Sequence, residues 1–258
     1  MGDGLNRFWI YRLHIPFRDF AHGCRSTSRS IRTALGLRKK RANETGWKLP
    51  TVHWSTLCKS SGTRFLETDK ADGNVNLTEL ATLNALCRTY SPKEIFEIGT
   101  FDGRTTLNLA LNCEANVATL DLPAEELESS EVIGADKRYV DKPSSGARFT
   151  SPPHNALPCV KRITQHLGDS AKFDFSPWHG KIDFIFVDGA HSYDFVVNDS
   201  EIALKLLNPD GGVIAWHDYG VWPDVAKALK ELTEKNPDLP LVHAKGTSLA
   251  ISVSAKRN

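Results

Sequence analysis

The chain has 258 residues, 40% hydrophobic and 24% charged, a composition that supports one or two packed domains and excludes collagen-like, largely disordered and disulfide-scaffold classes. No apolar run approaches the ~20 residues of a membrane-spanning helix, and five scattered cysteines without a CxxC pair argue for a reducing compartment and against a cysteine zinc site. Of the 32 basic and 31 acidic residues, eleven basic and three acidic ones lie within the first 48 positions, leaving 21 and 28 beyond, so a basic arm precedes an acidic body.

The arm contains LNRFWIYRLHIPFRDF, in which Arg7, Arg12 and Arg18 alternate with Phe8, Trp9, Tyr11, Phe17 and Phe20. Residues 1–74 are expected to form this arm and an accessory segment that packs on the domain or on another subunit of a homo-oligomer. Contact with an anionic membrane surface or polyanion is the alternative. An Arg-rich, acid-poor start is also compatible with an organelle transit peptide, but no sharp apolar core of a secretory signal is present, so cytoplasm is the default expectation. No nucleic-acid-binding module is present.

From residue 75 to 258 the pattern alternates helices and strands, as in one α/β domain with a parallel sheet covered on both faces. Asn76 and Glu79 form a candidate capping box ahead of Leu77, Leu80, Leu83, Ala85 and Leu86 at helical spacing. Strands are expected at EIFEIG (94–99), VATLDL (117–122), RITQHLG (162–168), IDFIFVDG (182–189), GVIAWHD (212–218), LPLVHA (239–244) and SLAISVSA (248–255). Helices are expected at GRTTLNLAL, SYDFVVNDSEIALKLL and PDVAKALKELTEK. Residues 123–161, with Pro143, Pro152, Pro153 and Pro158, are too long and turn-rich for a minimal connection and read as a binding loop or mobile cover.

Chemistry-bearing residues recur at the carboxyl ends of these strands, where open α/β sheets hold ligands. The first strand ends Glu97-Ile98-Gly99-Thr100-Phe101-Asp102-Gly103, an ExGxxxG turn. A pyrophosphate site would prefer GxGxxG, whereas the acid before the first glycine suits a ligand with a cationic amino group. The second strand ends at Asp121-Leu122, where a carboxylate can accept both hydroxyls of a ribose. The third is followed by Gly168-Asp169-Ser170, the fourth by Asp188-Gly189-Ala190-His191-Ser192-Tyr193, and the fifth by His217-Asp218-Tyr219.

Together EIGTFDG, LDL, GDS, VDGAHSYDFVVNDSEIALKLLNPDGG and WHDY resemble the class I S-adenosylmethionine-dependent methyltransferases, in particular the small O-methyltransferases with a VDGxHxY motif. The resemblance spans about residues 75–253. It implies a seven-stranded, mostly parallel, doubly wound Rossmann-like sheet with the last strand antiparallel. It also implies that Glu97, Gly99 and Gly103, with the intervening Thr100 and Phe101, hold the methionine part of the cofactor, Asp121 and Leu122 its ribose, and Asp169 and Ser170 its adenine, with Asp188 alongside. Asp188 and Asp218 fall where metal-dependent relatives place carboxylate ligands, which makes Mg²⁺ a candidate. The pattern departs from catechol-type relatives at Tyr219, where they have a ligating Asn, and leaves the third ligand unassigned.

His191, three residues beyond Asp188, is the candidate general base; capping of the next helix or a hydrogen bond to Asp218 is the structural alternative. His217 reads as a metal ligand, a second base or a packed residue, the last being the leading expectation. The expected function is O-methylation of a small molecule or sugar hydroxyl. A nucleotide-dependent oxidoreductase, which would need glycines at Thr100 and Phe101, and a non-catalytic protein keeping the cofactor fold are the rivals.

Overall fold

The computed structural model describes residues 46–58, 62–69, 72–132, 134–140 and 145–254, Ala135 by its backbone only; the aromatic-basic stretch of the arm lies outside them. Its strands are β1 (Thr51–Val52), β2 (Glu94–Ile98), β3 (Asn116–Asp121), β4 (Ile163–Leu167), β5 (Phe184–Val187), β6 (Gly212–Trp216), β7 (Leu241–Ala244) and β8 (Ala250–Ser254). The helices are α1 (Leu77–Tyr90), α2 (Arg104–Asn112), the short α3 (Lys137–Val140) and α4 (Ala147–Thr150), α5 (Tyr193–Leu206) and α6 (Pro223–Lys235). Among the described residues no helix is long and apolar enough to cross a membrane.

All eight strands form one sheet in the order β1-β7-β8-β6-β5-β2-β3-β4. Only β8 runs antiparallel to its neighbours, β6 and β7, so the expected last-strand reversal is present. The expected count of seven is corrected to eight. The extra strand, β1, is two residues long, too short to show a period of two, and it pairs in parallel with β7 through Thr51 and Val52. Leu49 and Trp54 flank it as buried residues, and Phe65, Leu66 and Val75 join the same core as α1 and α2.

Local sequence sets the elements. Asn76 caps α1 with its side chain on the N–H groups of Thr78 and Glu79, and Glu79 returns a carboxylate oxygen to the Asn76 N–H at 2.7 Å, the reciprocal box anticipated above. Pro223 occupies the first turn of α6, where its missing N–H costs nothing. In β5 the residues alternate between two cores: Phe184 and Phe186 pack toward α1 and α2, whereas Ile185 and Val187 pack toward α5 and α6. A strand buried on both faces loses the polar alternation of a half-exposed one.

β2 is hydrogen-bonded to β3 on one side and β5 on the other. Successive connections leave it in opposite directions, which opens a crevice above the carboxyl ends of these strands. Gly99 makes the exit possible. Its φ is +98°, and a Cβ there would stand 2.1 Å from the carbonyl oxygen of Asp188.

Candidate active site

A cleft of about 330 Å³ occupies this crevice. Gly99 and Phe101 after β2, Asp121 and Leu122 at β3, Asp169 and Ser170 after β4, Asp188 and His191 after β5, and Asp218 after β6 all line it. The opposite wall comes from residues 72–74 and from Val132, Asp136, Arg138, Tyr139 and Val140, so the accessory segment and the proline-rich connection both border the cavity.

Three expected cofactor contacts lie behind the lining. Thr100 is buried, its hydroxyl 2.6 Å from that of Thr119. Gly103, at φ +84°, makes room for another part of the chain, because a Cβ there would meet the Phe149 ring at 2.6 Å. α4 thereby docks behind the turn, with Gly146 N–H donating to Phe101 O at 2.8 Å and Arg148 paired with Glu67 and Asp102. Glu97 is wholly buried and accepts hydrogen bonds from Thr106 and Thr119. Burial pushes its carboxyl up to about 8, so at neutral pH it is mostly uncharged rather than an anion facing a bound amine. Among the described residues its Oε1 has no hydrogen-bond partner, and a buried polar atom rarely goes without one.

Asp121 fits a ribose better. Burial raises it to about 6, although the Ser145 hydroxyl and the N–H groups of Phe101, Thr100 and Leu122 oppose the rise. Burial disfavours the charged form, and two hydroxyls donating to the carboxylate would offset it further. Asp169 accepts from Ala171 N–H at 2.9 Å and lies 3.3 Å from Lys172 Nζ, which shapes the turn after β4. Leu120, Leu122, Ile98, Val132 and Phe195 provide apolar walls for a planar base.

At the other end four carboxylates and two imidazoles alternate. Glu79 Oε2 lies 3.2 Å from His217 Nε2, and His217 Nδ1 lies 2.8 Å from Asp188 Oδ1 and 3.4 Å from Asp218 Oδ2. The other Asp218 contact is to His191, Nε2 to Oδ2 at 2.7 Å, and His191 Nδ1 lies 2.7 Å from Asp136 Oδ1. Burial alone would lower both histidines. The hydrogen bonds of Asp136 and Asp218 nevertheless raise His191 to about 10, and Asp188, Asp218 and Glu79 hold His217 well above its ordinary value. Burial likewise opposes the charge on Glu79, but His217 and the N–H groups of Asn76 and Ser248 bring it down to about 2. Asp218 is held below the ordinary carboxylate range by His191 and His217. Both imidazoles are therefore cations in this arrangement, and the structural alternative for His191, a bond to Asp218, is present.

Asp188, His217 and Asp218 each offer one ligand atom, all within 4.8 Å of one another. The donor set fits a divalent cation once the Nδ1 proton of His217 leaves, because Glu79 stands behind Nε2 as the carboxylate partner of a ligating histidine. His217, expected above to be mainly a packed residue, is thus the missing third ligand candidate. Tyr219 is no ligand: its hydroxyl accepts the Leu49 N–H at 2.9 Å and ties the accessory segment to the sheet. The sequence reading also missed Glu79 as a site residue, Asp136 and Trp222, whose ring stacks on His191 at 4.9 Å. The capping-box glutamate was visible, but only as a helix signal.

Residues 96–219 match the model of a family described as Methyltransferase domain. Among solved structures, the Podospora anserina methyltransferase PaMTH1 bound to S-adenosylhomocysteine superposes with a TM-score of 0.55 at 14% identity, covering 90% of this chain and 97% of that one. The O-methyltransferase TomG of Streptomyces achromogenes, involved in tomaymycin synthesis and bound to S-adenosylmethionine, gives 0.50 at 21% identity, covering 73% and 85%. A methyltransferase from Geobacter sulfurreducens gives 0.51 at 13% identity, covering 71% and 81%. No curated protein matches the sequence.

The fold is that of the class I S-adenosylmethionine-dependent methyltransferases, and residues 96–219 match the Methyltransferase domain model. Nothing in these comparisons supports the oxidoreductase or the non-catalytic platform.

Proposed function

We propose that this chain transfers the methyl group of S-adenosylmethionine to a hydroxyl oxygen of a small molecule, sugar hydroxyls included, with assistance from a divalent cation. The observation that carries the proposal is that the Asp188–His217–Asp218 donor set opens into the same cavity as Gly99, Asp121 and Asp169. Bound cofactor supplies an electrophilic methyl, and a divalent cation at the donor set acidifies a hydroxyl and orients it.

The chain's residues divide the rest. Asp121 accepts hydroxyl protons of the ribose, Asp169 and Ser170 border the adenine, and Gly99 with Phe101 shapes the turn beside the methionine. Thr100 and Gly103 act through the backbone, and the Glu97 Oε1 is open to a donor beneath the turn. His191, protonated up to about 10, takes up no proton in this state. Its service as a base requires loss of the Nε2 proton, which added positive charge in the cleft favours. The imidazole in the donor set extends the candidate ions from Mg²⁺ to Mn²⁺ and other first-row cations, since Mg²⁺ favours oxygen ligands.

The test is turnover of labelled S-adenosylmethionine against a panel of catechols, phenols and sugars, with chelator and with Mg²⁺ or Mn²⁺ restored. Expected is methyl ether formation that chelator abolishes and metal restores. Absence of S-adenosylhomocysteine binding by calorimetry would sink the cofactor assignment, and turnover indifferent to chelator would remove the metal.

A further inference from the structure

One cleft side chain reaches across from the connection between β3 and β4 to the loop after β5. Asp136, buried just before α3, accepts the His191 backbone N–H through Oδ2 at 2.9 Å and faces His191 Nδ1 through Oδ1 at 2.7 Å. Both oxygens are committed to one residue 55 positions away. The same ring is held by Asp218 at Nε2, by the Trp222 ring on its face and by Tyr139 edge-on at 6.5 Å.

We propose that Asp136 is a positioning residue that acts through His191. Its carboxylate fixes the ring orientation and keeps a proton on Nδ1, so that seating α3 against the cleft and aiming Nε2 at Asp218 are one event. The inference rests on the reading of His191 as part of the acceptor-activating group.

The chemistry demands a carboxylate. A half-turn of the ring about its bond to Cβ would exchange Nδ1 for a carbon, and Oδ1 would lose its donor. Two donors, the main-chain N–H and Nδ1–H, meet two acceptor oxygens. An amide of the same shape has one oxygen and must turn its NH₂ toward one of those donors. Whichever way the amide turns, Asp136→Asn removes the negative charge that holds the Nδ1 proton, and one of the two bonds with it, without opening a cavity.

Long-range ¹H–¹⁵N spectra of histidine-labelled full-length protein, with S-adenosylhomocysteine added, read this directly. Wild type should show a His191 Nδ1–H that is downfield and slow to exchange, and Asp136→Asn should lose it. Amide exchange at His191 and at residues 134–140 should quicken on the order of tenfold or more, as expected when a charge-assisted hydrogen bond is removed.

A wild-type spectrum without the Nδ1 proton overturns the proposal and needs no variant. Faster exchange with an unchanged Nδ1–H signal also overturns it, since Asp136 would then hold the loop and nothing more. Failure of wild type to bind S-adenosylhomocysteine would refute the methyltransferase reading, an outcome separate from the Nδ1–H signal.

Discussion

Gly99→Ala tests the geometry on which the cleft depends. The ends of β2 and β5 cannot separate to admit a methyl group, because Asp188 N–H donates to Ile98 O at 2.8 Å and Gly99 N–H to Leu120 O at 2.8 Å. A Cβ at position 99 would be 2.1 Å from Asp188 O and 2.9 Å from Gly189 N, main-chain atoms with no rotamer to escape into. Holding a non-glycine residue in the left-handed region costs about 1–2 kcal/mol, and the forced backbone displacement adds roughly 1–3 kcal/mol. At about 2–4 °C per kcal/mol for a domain of this size, Tm should fall by roughly 4–20 °C. S-Adenosylhomocysteine should bind more weakly, since the displaced atoms are cleft wall. Differential scanning calorimetry and titration calorimetry measure the two effects. Gly103→Ala is the control: its Cβ meets mainly the Phe149 ring, a side chain that can move, so stability should drop while ligand affinity changes less. A Gly99→Ala protein with wild-type Tm and wild-type affinity would refute the close-approach argument.

Asp121→Ala removes the acceptor assigned to the ribose and should weaken S-adenosylhomocysteine binding by about 1.5–3 kcal/mol per charge-assisted bond lost; unchanged affinity in a folded variant would contradict that role. His217→Ala should reduce Mn²⁺ affinity, read by electron paramagnetic resonance, and Glu79→Gln should do so by about 10- to 100-fold, as for other partners of ligating histidines; equal Mn²⁺ binding by all three proteins would remove His217 from the ligand set. Stability in the presence of chelator should be greatest near the ordinary carboxylate range, about pH 4–5, and fall on either side. The raised His191 contributes fully below its ordinary 6.5, and that contribution is lost as pH rises toward about 10. Glu97, raised to about 8, and Asp199, raised to about 7 by burial, weaken the fold in the same alkaline direction. Glu79 contributes above its ordinary 4.5 and loses that contribution as pH falls through about 2. A Tm unchanged between pH 6 and 10 would contradict the charge assignments.

Elements with a local cause were legible in the sequence. The Asn76–Glu79 box, the helical spacing after Leu77 and Pro223 at the head of a helix each carry their signal within one or two turns, and α1 and α6 begin where those signals place them. The apolar runs gave β2 to β8 to within a few residues at each end. β1 was hidden because two residues hold no period, and its cause is remote: His243 N–H donates to Pro50 O and Lys245 N–H to Val52 O. The ends of the strands revealed most of the cleft lining, because parallel strands bring every carboxyl end to one edge. Gly103 shows what a glycine signal leaves open: it reports that something comes close, and the Phe149 ring does so here.

The charged half of the cleft resisted the same reading because its partners are joined by charge rather than by position in the chain. Asp188 and Asp218 reach one sheet edge from adjacent strands, and like charges brought that close in a largely buried site need compensation. His217 and His191 supply it, and a further carboxylate, Glu79 on one side and Asp136 on the other, adds to the negative charge that Asp188 and Asp218 bring to the rings. Glu79 lies 138 residues from His217, within a helix cap, and Asp136 lies in a connection without regular pattern. Neither carries a local mark of its role. The arrangement has a testable consequence: removing Glu79 or Asp136 should lower the pKa of the adjacent imidazole more than that of the other, since each pair is in direct contact and the two histidines share only the Asp218 carboxylate. Histidine ¹⁵N titrations of Glu79→Gln and Asp136→Asn in chelator should show this as two separate responses. Equal shifts of both rings in either variant would mean that the six groups titrate as one unit, and the division between a metal-facing His217 and a loop-held His191 would fail.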